Sequence, residues 1–203
     1  MSREIFYDEV FDAQVHYRIL LDSMARPGKI NSLTLENIQP PAGINRASVL
    51  IGMALLNADV SFDAAGPYAD EITRYLILNT SAVSEEHRKA DFIFIPGDSE
   101  ARYILEARTG TLSYPEESAT FITDVKEISE EKIPASIALT LKGPGIAGEK
   151  TVFVSGLEEP LLEALKEQNL EFPLGIDMIL TDGNDHIVCI PRSNRFSYAA
   201  RTA

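Results

Sequence analysis

Asp177 is the acidic residue whose setting most needs a partner: it follows the tight apolar turn Phe172-Pro173-Leu174-Gly175-Ile176 and leads into the apolar run Met178-Ile179-Leu180. A carboxylate among such neighbours requires a hydrogen-bond donor or a cation, because burial disfavours its charged form. Arg192, in Ile190-Pro191-Arg192, stands just past the segment expected to pair with it, and its guanidinium can grip a carboxylate with two parallel hydrogen bonds. Two readings fit equally: a bridge bracing neighbouring strands, or a ligand edge with Asp177 as base and Arg192 as anion clamp. Gly143-Pro144-Gly145 could offer backbone amides to an anion, since glycine lets a phosphate come close, although a tight connection between strands is the plainer reading. Arg18 on the first predicted helix and Arg46 near the start of the next are further candidate anion contacts, against the ordinary alternative of surface arginines.

Other chemistries lack their residues. There is no Gly-Lys-Ser/Thr phosphate loop, no dinucleotide-binding glycine fingerprint after a first strand and no Gly-x-Ser-x-Gly elbow, which argues against a self-contained nucleotide enzyme. The three histidines, His16, His87 and His186, show no metal-ligand spacing, so no metal site is expected. His87 lies in the charge run Glu85-Glu86-His87-Arg88-Lys89 and reads as a solvated residue, His186 as the start of a strand, and His16 as a neighbour of an apolar helical stripe.

The elements that must position these groups follow from hydrophobic spacing. Phe11, Val15, Ile19, Leu20 and Met24 predict a helix over 11–24, stopped by Arg26-Pro27-Gly28. A short strand over 30–35, a helix from an Asn45 cap to Leu56, a strand near 60–62 and a helix over 68–79 come next. Phe92-Ile93-Phe94-Ile95, closed by Pro96-Gly97, has the continuous apolar pattern of a strand buried on both faces. A helical pattern over 99–108, strands over 120–123, 137–141 and 151–155, and a helix over 157–169 lead to a hairpin, 176–181 with 186–190. Alternating helices and strands followed by clustered strands predict an α/β fold with a mixed sheet between helices.

With 203 residues and 45% hydrophobic content, a single domain over 1–203 can bury one core. Thirty-one acidic against 18 basic residues give a net charge of −13, which disfavours nucleic acid and anionic membrane as partners. The opening Met1-Ser2-Arg3-Glu4-Ile5 lacks an apolar signal core and no apolar run reaches membrane-spanning length, so a soluble, cytoplasmic chain is expected. The single cysteine, Cys189, sits in the apolar Ile187-Val188-Cys189-Ile190, which excludes an internal disulfide and predicts a buried thiol.

Three blocks, in order, carry a family resemblance: Asp12-Ala13-Gln14 with Tyr17-Arg18, Leu20-Leu21, Met24 and Pro27-Gly28; Leu141-Lys142-Gly143-Pro144-Gly145-Ile146; and Phe172-Pro173-Leu174-Gly175-Ile176-Asp177 continuing to Ile190-Pro191-Arg192. Together they resemble the H subunit of the bacterial carbon–phosphorus lyase core complex, with 68–131 the stretch that matches least. The resemblance implies a three-layer α/β/α fold with a central mixed sheet, similar to the pyridoxal-phosphate transferases. It implies no pyridoxal phosphate, since Lys142 has no Ser/Thr-x-x-Lys cradle beside it. It further implies a homodimer when isolated, and partners in the G, I and J subunits of the core and in the L subunit. With G, I and L, such a subunit supports displacement of adenine from ATP by a phosphonate, ATP and its magnesium being substrate of the assembly. The chain is then an assisting subunit, inactive alone. The alternatives are a stand-alone enzyme on a phosphorylated metabolite and a purely structural scaffold.

Overall fold

A computed structural model of the chain describes residues 7–199; the opening Met1-Ser2-Arg3-Glu4-Ile5 lies outside them. The elements run α1 (Phe11–Ala25), β1 (Asn31–Ser32), α2 (Arg46–Leu55), β2 (Ser61–Ala64), α3 (Ala69–Thr80), β3 (Val83–Ser84), β4 (Phe92–Pro96) and α4 (Arg102–Leu105). A single 3-10 turn, Pro115–Glu117, precedes β5 (Thr120–Asp124), β6 (Glu127–Ser129), β7 (Ser136–Lys142), β8 (Lys150–Ser155), α5 (Glu159–Gln168), β9 (Asp177–Thr181), β10 (His186–Ile190) and β11 (Arg195–Ala199).

Seven strands form a mixed sheet in the order β1-β10-β9-β5-β4-β2-β3. β3, β2, β4, β5 and β9 are mutually parallel, while β10 and β1 add antiparallel at one edge. The apolar runs explain the arrangement: β4 and β5 are covered on both faces, as their near-continuous Phe/Ile sequences require. On one face Phe62, Phe94, Ile122, Ile179, Ile187 and Cys189 pack under α1, α2 and α3. On the other, Ile93, Ile95, Phe121, Met178, Leu180, Val188 and Ile190 meet α4, α5 and a second sheet.

That second sheet departs from the expected α/β/α sandwich. Four antiparallel strands, β11-β7-β8-β6, share the outer layer with α4 and α5. β7 and β8 are strongly patterned, but β6 and β11 are short or lie at an exposed edge, where few apolar residues mark them. The helical pattern over 99–108 shrinks to Arg102–Leu105, and the strand over 30–35 to Asn31–Ser32. Asn45 stands at the start of α2, yet its side chain does not cap the helix; it donates to the carbonyl of Thr181 at 3.0 Å. Asp8 supplies an N-terminal contact for α1, accepting from the amides of Val10 and Phe11 at 2.8 Å each. Cys189 is fully buried, and burial pushes its thiol well above the usual range.

His87 is not a solvated residue. Its Nδ1 lies 3.0 Å from Asp63 Oδ2 on β2 and its Nε2 lies 2.6 Å from the carbonyl oxygen of Tyr103 on α4. Two acceptors on opposite ring nitrogens select the doubly protonated imidazolium. Burial alone would lower its pKa; the bonds to Asp63 and the Tyr103 carbonyl, with the charges of Asp63 and Glu106, outweigh it and raise the net value. A base held more protonated in the folded than in the unfolded state adds stability that is fully present below the ordinary imidazole pKa and fades as pH rises through the raised one. The stability gap between the native chain and His87→Gln, followed by thermal melts, is therefore expected to be widest in mildly acidic buffer and to narrow steadily on the alkaline side.

Candidate functional site

From β2 the chain passes through α3 to the edge strand β3, returns to β4 on the other side of β2, and then steps outward to β5 and β9. Strand order thus reverses between β2 and β4, with α3 and α4 on opposite faces of the sheet. In such sheets the crevice beyond the carboxyl ends of the strands at the reversal is the favoured place for a ligand. A cavity of about 550 Å³ lies there, lined by residues that follow β2 (Ala65, Pro67, Tyr68), end β4 (Phe94 to Asp98) and end β5 (Asp124 to Lys126). Its size is that of a small-molecule site.

The most constrained group in this cavity is Asp124, the last residue of β5. Its Oδ1 accepts from the hydroxyl of Thr181 at 2.8 Å and from Ser48 of α2, while its Oδ2 accepts from the backbone amide of Asn45 at 3.1 Å. The N-terminal end of α2 therefore points at the carboxylate, a favourable alignment with the helix dipole. Burial is still the strongest influence and raises the pKa, with the bonds from Ser48, Asn45 and Thr181 opposing it in part. Ile44, Ile72, Phe94, Pro67 and Pro96 provide apolar walls, and the Tyr68 ring lies over Gly43, whose Cβ, if present, would fall 2.3 Å from it. The floor is backbone: a Cβ on Gly97 would come within 2.2 Å of the Gly156 carbonyl oxygen. Asp98, Asp124 and Glu158 face a single ammonium, Lys126, so the cavity is net acidic.

The candidates singled out by sequence lie elsewhere. Asp177 begins β9, at the end of the sheet opposite this cavity. Arg192 donates to it from its backbone amide at 2.8 Å, from Nε at 3.1 Å and from its second terminal nitrogen, while its remaining terminal nitrogen reaches the Pro115 carbonyl at 2.8 Å. The expected pairing across the β9–β10 hairpin is present, and the guanidinium is spent on protein acceptors. Arg46, at the start of α2, likewise grips Asp185 in the hairpin turn, with Nε at 3.0 Å from Oδ1. Arg18 is exposed on α1 and distant in sequence from both clusters. His186 Nδ1 sits 3.0 Å from the buried Asp182 of the same turn, and His16 is buried beside Tyr7. Among the described residues no group of three or more His, Cys, Asp or Glu side chains could hold a metal ion, and no helix is long and apolar enough to cross a membrane.

Gly143 and Gly145 close the β7–β8 hairpin against α1. Gly145 adopts φ 83°, and a Cβ there would meet the Ala25 carbonyl oxygen at 2.1 Å; the Pro144 carbonyl accepts from the Asn194 side chain at 3.1 Å. Gly145→Ala combines a left-handed backbone with a backbone collision and is expected to cost about 2 kcal/mol or more, read as a lowered denaturant midpoint.

Asp124 escaped sequence reasoning because an aspartate ending an apolar strand is unremarkable until strand order is known. The signal available was its position at the carboxyl end of Thr120-Phe121-Ile122-Thr123, which gains meaning only if β5 is central and parallel.

The family described as "Bacterial phosphonate metabolism protein (PhnH)" matches residues 4–197 of this chain. The chain is 28% identical over 192 residues, 94% of its own length and 92% of the relative's, to the alpha-D-ribose 1-methylphosphonate 5-triphosphate synthase subunit PhnH of Rhizobium meliloti (strain 1021). It is 27% identical over 187 residues, 91% of its own length and 85% of the relative's, to a putative C-P lyase subunit protein, HtxG, of Stutzerimonas stutzeri.

Proposed function

This chain belongs to the PhnH family of bacterial phosphonate metabolism proteins, subunits of carbon–phosphorus lyase, and we propose that it assists transfer of the ribose triphosphate of ATP to a phosphonate, with release of adenine. The observation that carries the reading is the near full-length match to a relative named for synthesis of ribose 1-methylphosphonate 5-triphosphate. The geometry supports an assisting rather than a self-sufficient role. A triphosphate or phosphonate needs a cluster of uncommitted cations, whereas Arg46 and Arg192 are held by Asp185 and Asp177, and the cavity presents three carboxylates to one ammonium. Groups that bind the phosphates then come from partner subunits. The G, I and L subunits are the proposed partners in the reaction, and G, I and J in the core complex, with a homodimer as the isolated form.

The same proposal includes a fold of the pyridoxal-phosphate transferase kind working without pyridoxal phosphate, in the cytoplasm, with ATP and magnesium as substrate of the assembly. Asp177 and Arg192 act in it as a brace. The test is to incubate the purified chain alone with ATP, magnesium and methylphosphonate and assay free adenine. None is expected; adenine release at a catalytic rate without partners would overturn the assisting role and favour the stand-alone enzyme.

A further inference from the structure

The cavity at the strand reversal is chemically specific in a way the functional reading leaves unused. Its charge, three carboxylates against Lys126, repels phosphate and phosphonate, so its occupant is neutral or carries its anionic part outside. The walls are largely apolar: the Tyr68 ring over Gly43, Phe94, and the side chains of Pro67 and Pro96. Gly97 and Gly156 also line the cavity, their backbones packed so closely that a Cβ on Gly97 would strike the Gly156 carbonyl oxygen. A carboxylate offers about four acceptor positions. Asp124 uses three, two on Oδ1 with Ser48 and Thr181 and one on Oδ2 with the Asn45 amide, which leaves one acceptor position on Oδ2 within the cavity lining. A buried acceptor with one vacancy among apolar walls that include an aromatic ring suits an aromatic heterocycle, whose N–H donor can fill the vacancy while its apolar face stacks on Tyr68.

We propose that this cavity takes the uncharged base of an aminopurine nucleoside, stacked against Tyr68 with its exocyclic amino group donating to Asp124, any phosphates extending out of the cavity toward partner subunits. The volume of about 550 Å³ accommodates a base with its ribose. This rests on the reading above and deepens it: the chain would hold the base that the reaction releases, while partners hold the charged remainder.

The test uses the full chain and calorimetric titration with two ligands of equal size and flatness, adenosine and 6-methylpurine riboside, the second lacking the amino donor. Adenosine is expected to bind and 6-methylpurine riboside to bind at least about tenfold more weakly, because a site built around a donor rejects an analogue without one. Tyr68→Ala, at a side chain 46% exposed, is expected to weaken adenosine binding at least about tenfold with an unchanged melting temperature. Equal affinity for the two ribosides, no binding of either at millimolar concentration, or displacement of adenosine by tripolyphosphate would each overturn the proposal. The ligand pair probes the native chain, so it stands whether or not the variant folds. Adenine release by the reconstituted assembly is measured in parallel. Loss of the riboside discrimination with chain-dependent adenine release intact defeats this inference alone, whereas discrimination without chain-dependent release supports it and defeats the functional reading.

Discussion

Replacing Arg192 with alanine is expected to destabilise the fold by about 3–5 kcal/mol, the range for removing one partner of a buried ion pair. The Asp177 and Arg192 side chains are each only 15% exposed, so solvent cannot take over the lost contacts. The change strips Asp177 of two guanidinium bonds and leaves the Pro115 carbonyl without its donor. For a chain of this size the loss corresponds to a melting temperature lower by roughly 6–20 °C. Since unpaired charge is the dominant penalty, the double variant Asp177→Leu/Arg192→Met is expected to recover most of it, as apolar replacements of whole buried pairs often do. If Arg192→Ala melted with the native protein, the pair would not be a brace, and its guanidinium would be available for a ligand.

Phe121→Ala is expected to cost a similar amount, about 3–5 kcal/mol, for a different reason. Phe121 is fully buried in β5, on the face where the central sheet meets α4, α5 and the four-stranded sheet. Its ring also lies 6.3 Å, centroid to centroid, from that of His87, so the void would open beside the imidazolium that ties β2 to α4. Phe121→Leu keeps most of the volume and should lose no more than about 1.5 kcal/mol. Phe172, 65% exposed, is the contrast: Phe172→Ala should stay within about 0.5 kcal/mol of the native chain. Urea unfolding of the three variants checks the order; a Phe121→Ala midpoint equal to that of Phe172→Ala would contradict the placement of the core.

What the sequence made legible was whatever local spacing encodes. α1, α2, α3, α5 and the strands β4, β5, β7, β8, β9 and β10 announce themselves by apolar periodicity, and the Asp177–Arg192 pair by an aspartate that enters an apolar run. Illegible parts depend on contacts distant in the chain. β6 and β11 gain their status from pairing with β8 and β7, not from their own residues. His87 looked solvated because it sits in a charge run, yet its partners Asp63 and Tyr103 lie 24 positions before and 16 after it. The cavity is the clearest case: Tyr68, Phe94, Gly97, Asp124 and Lys126 fall within 68–131, the segment carrying least resemblance, and only the strand order brings them together. Arg46, a candidate anion contact by its place near a helix start, shows the same limit, since its partner Asp185 lies in a turn 139 residues later.

Omitting the chain from the reconstituted reaction tests its part in the transfer most directly. The G, I and L subunits are combined with ATP, magnesium and methylphosphonate, with and without this chain, and free adenine and ribose 1-methylphosphonate 5-triphosphate are quantified over time. Formation of both products at matching rates only when the chain is present is the expected result. Equal product formation in its absence would contradict a role in the transfer and leave the chain a scaffold.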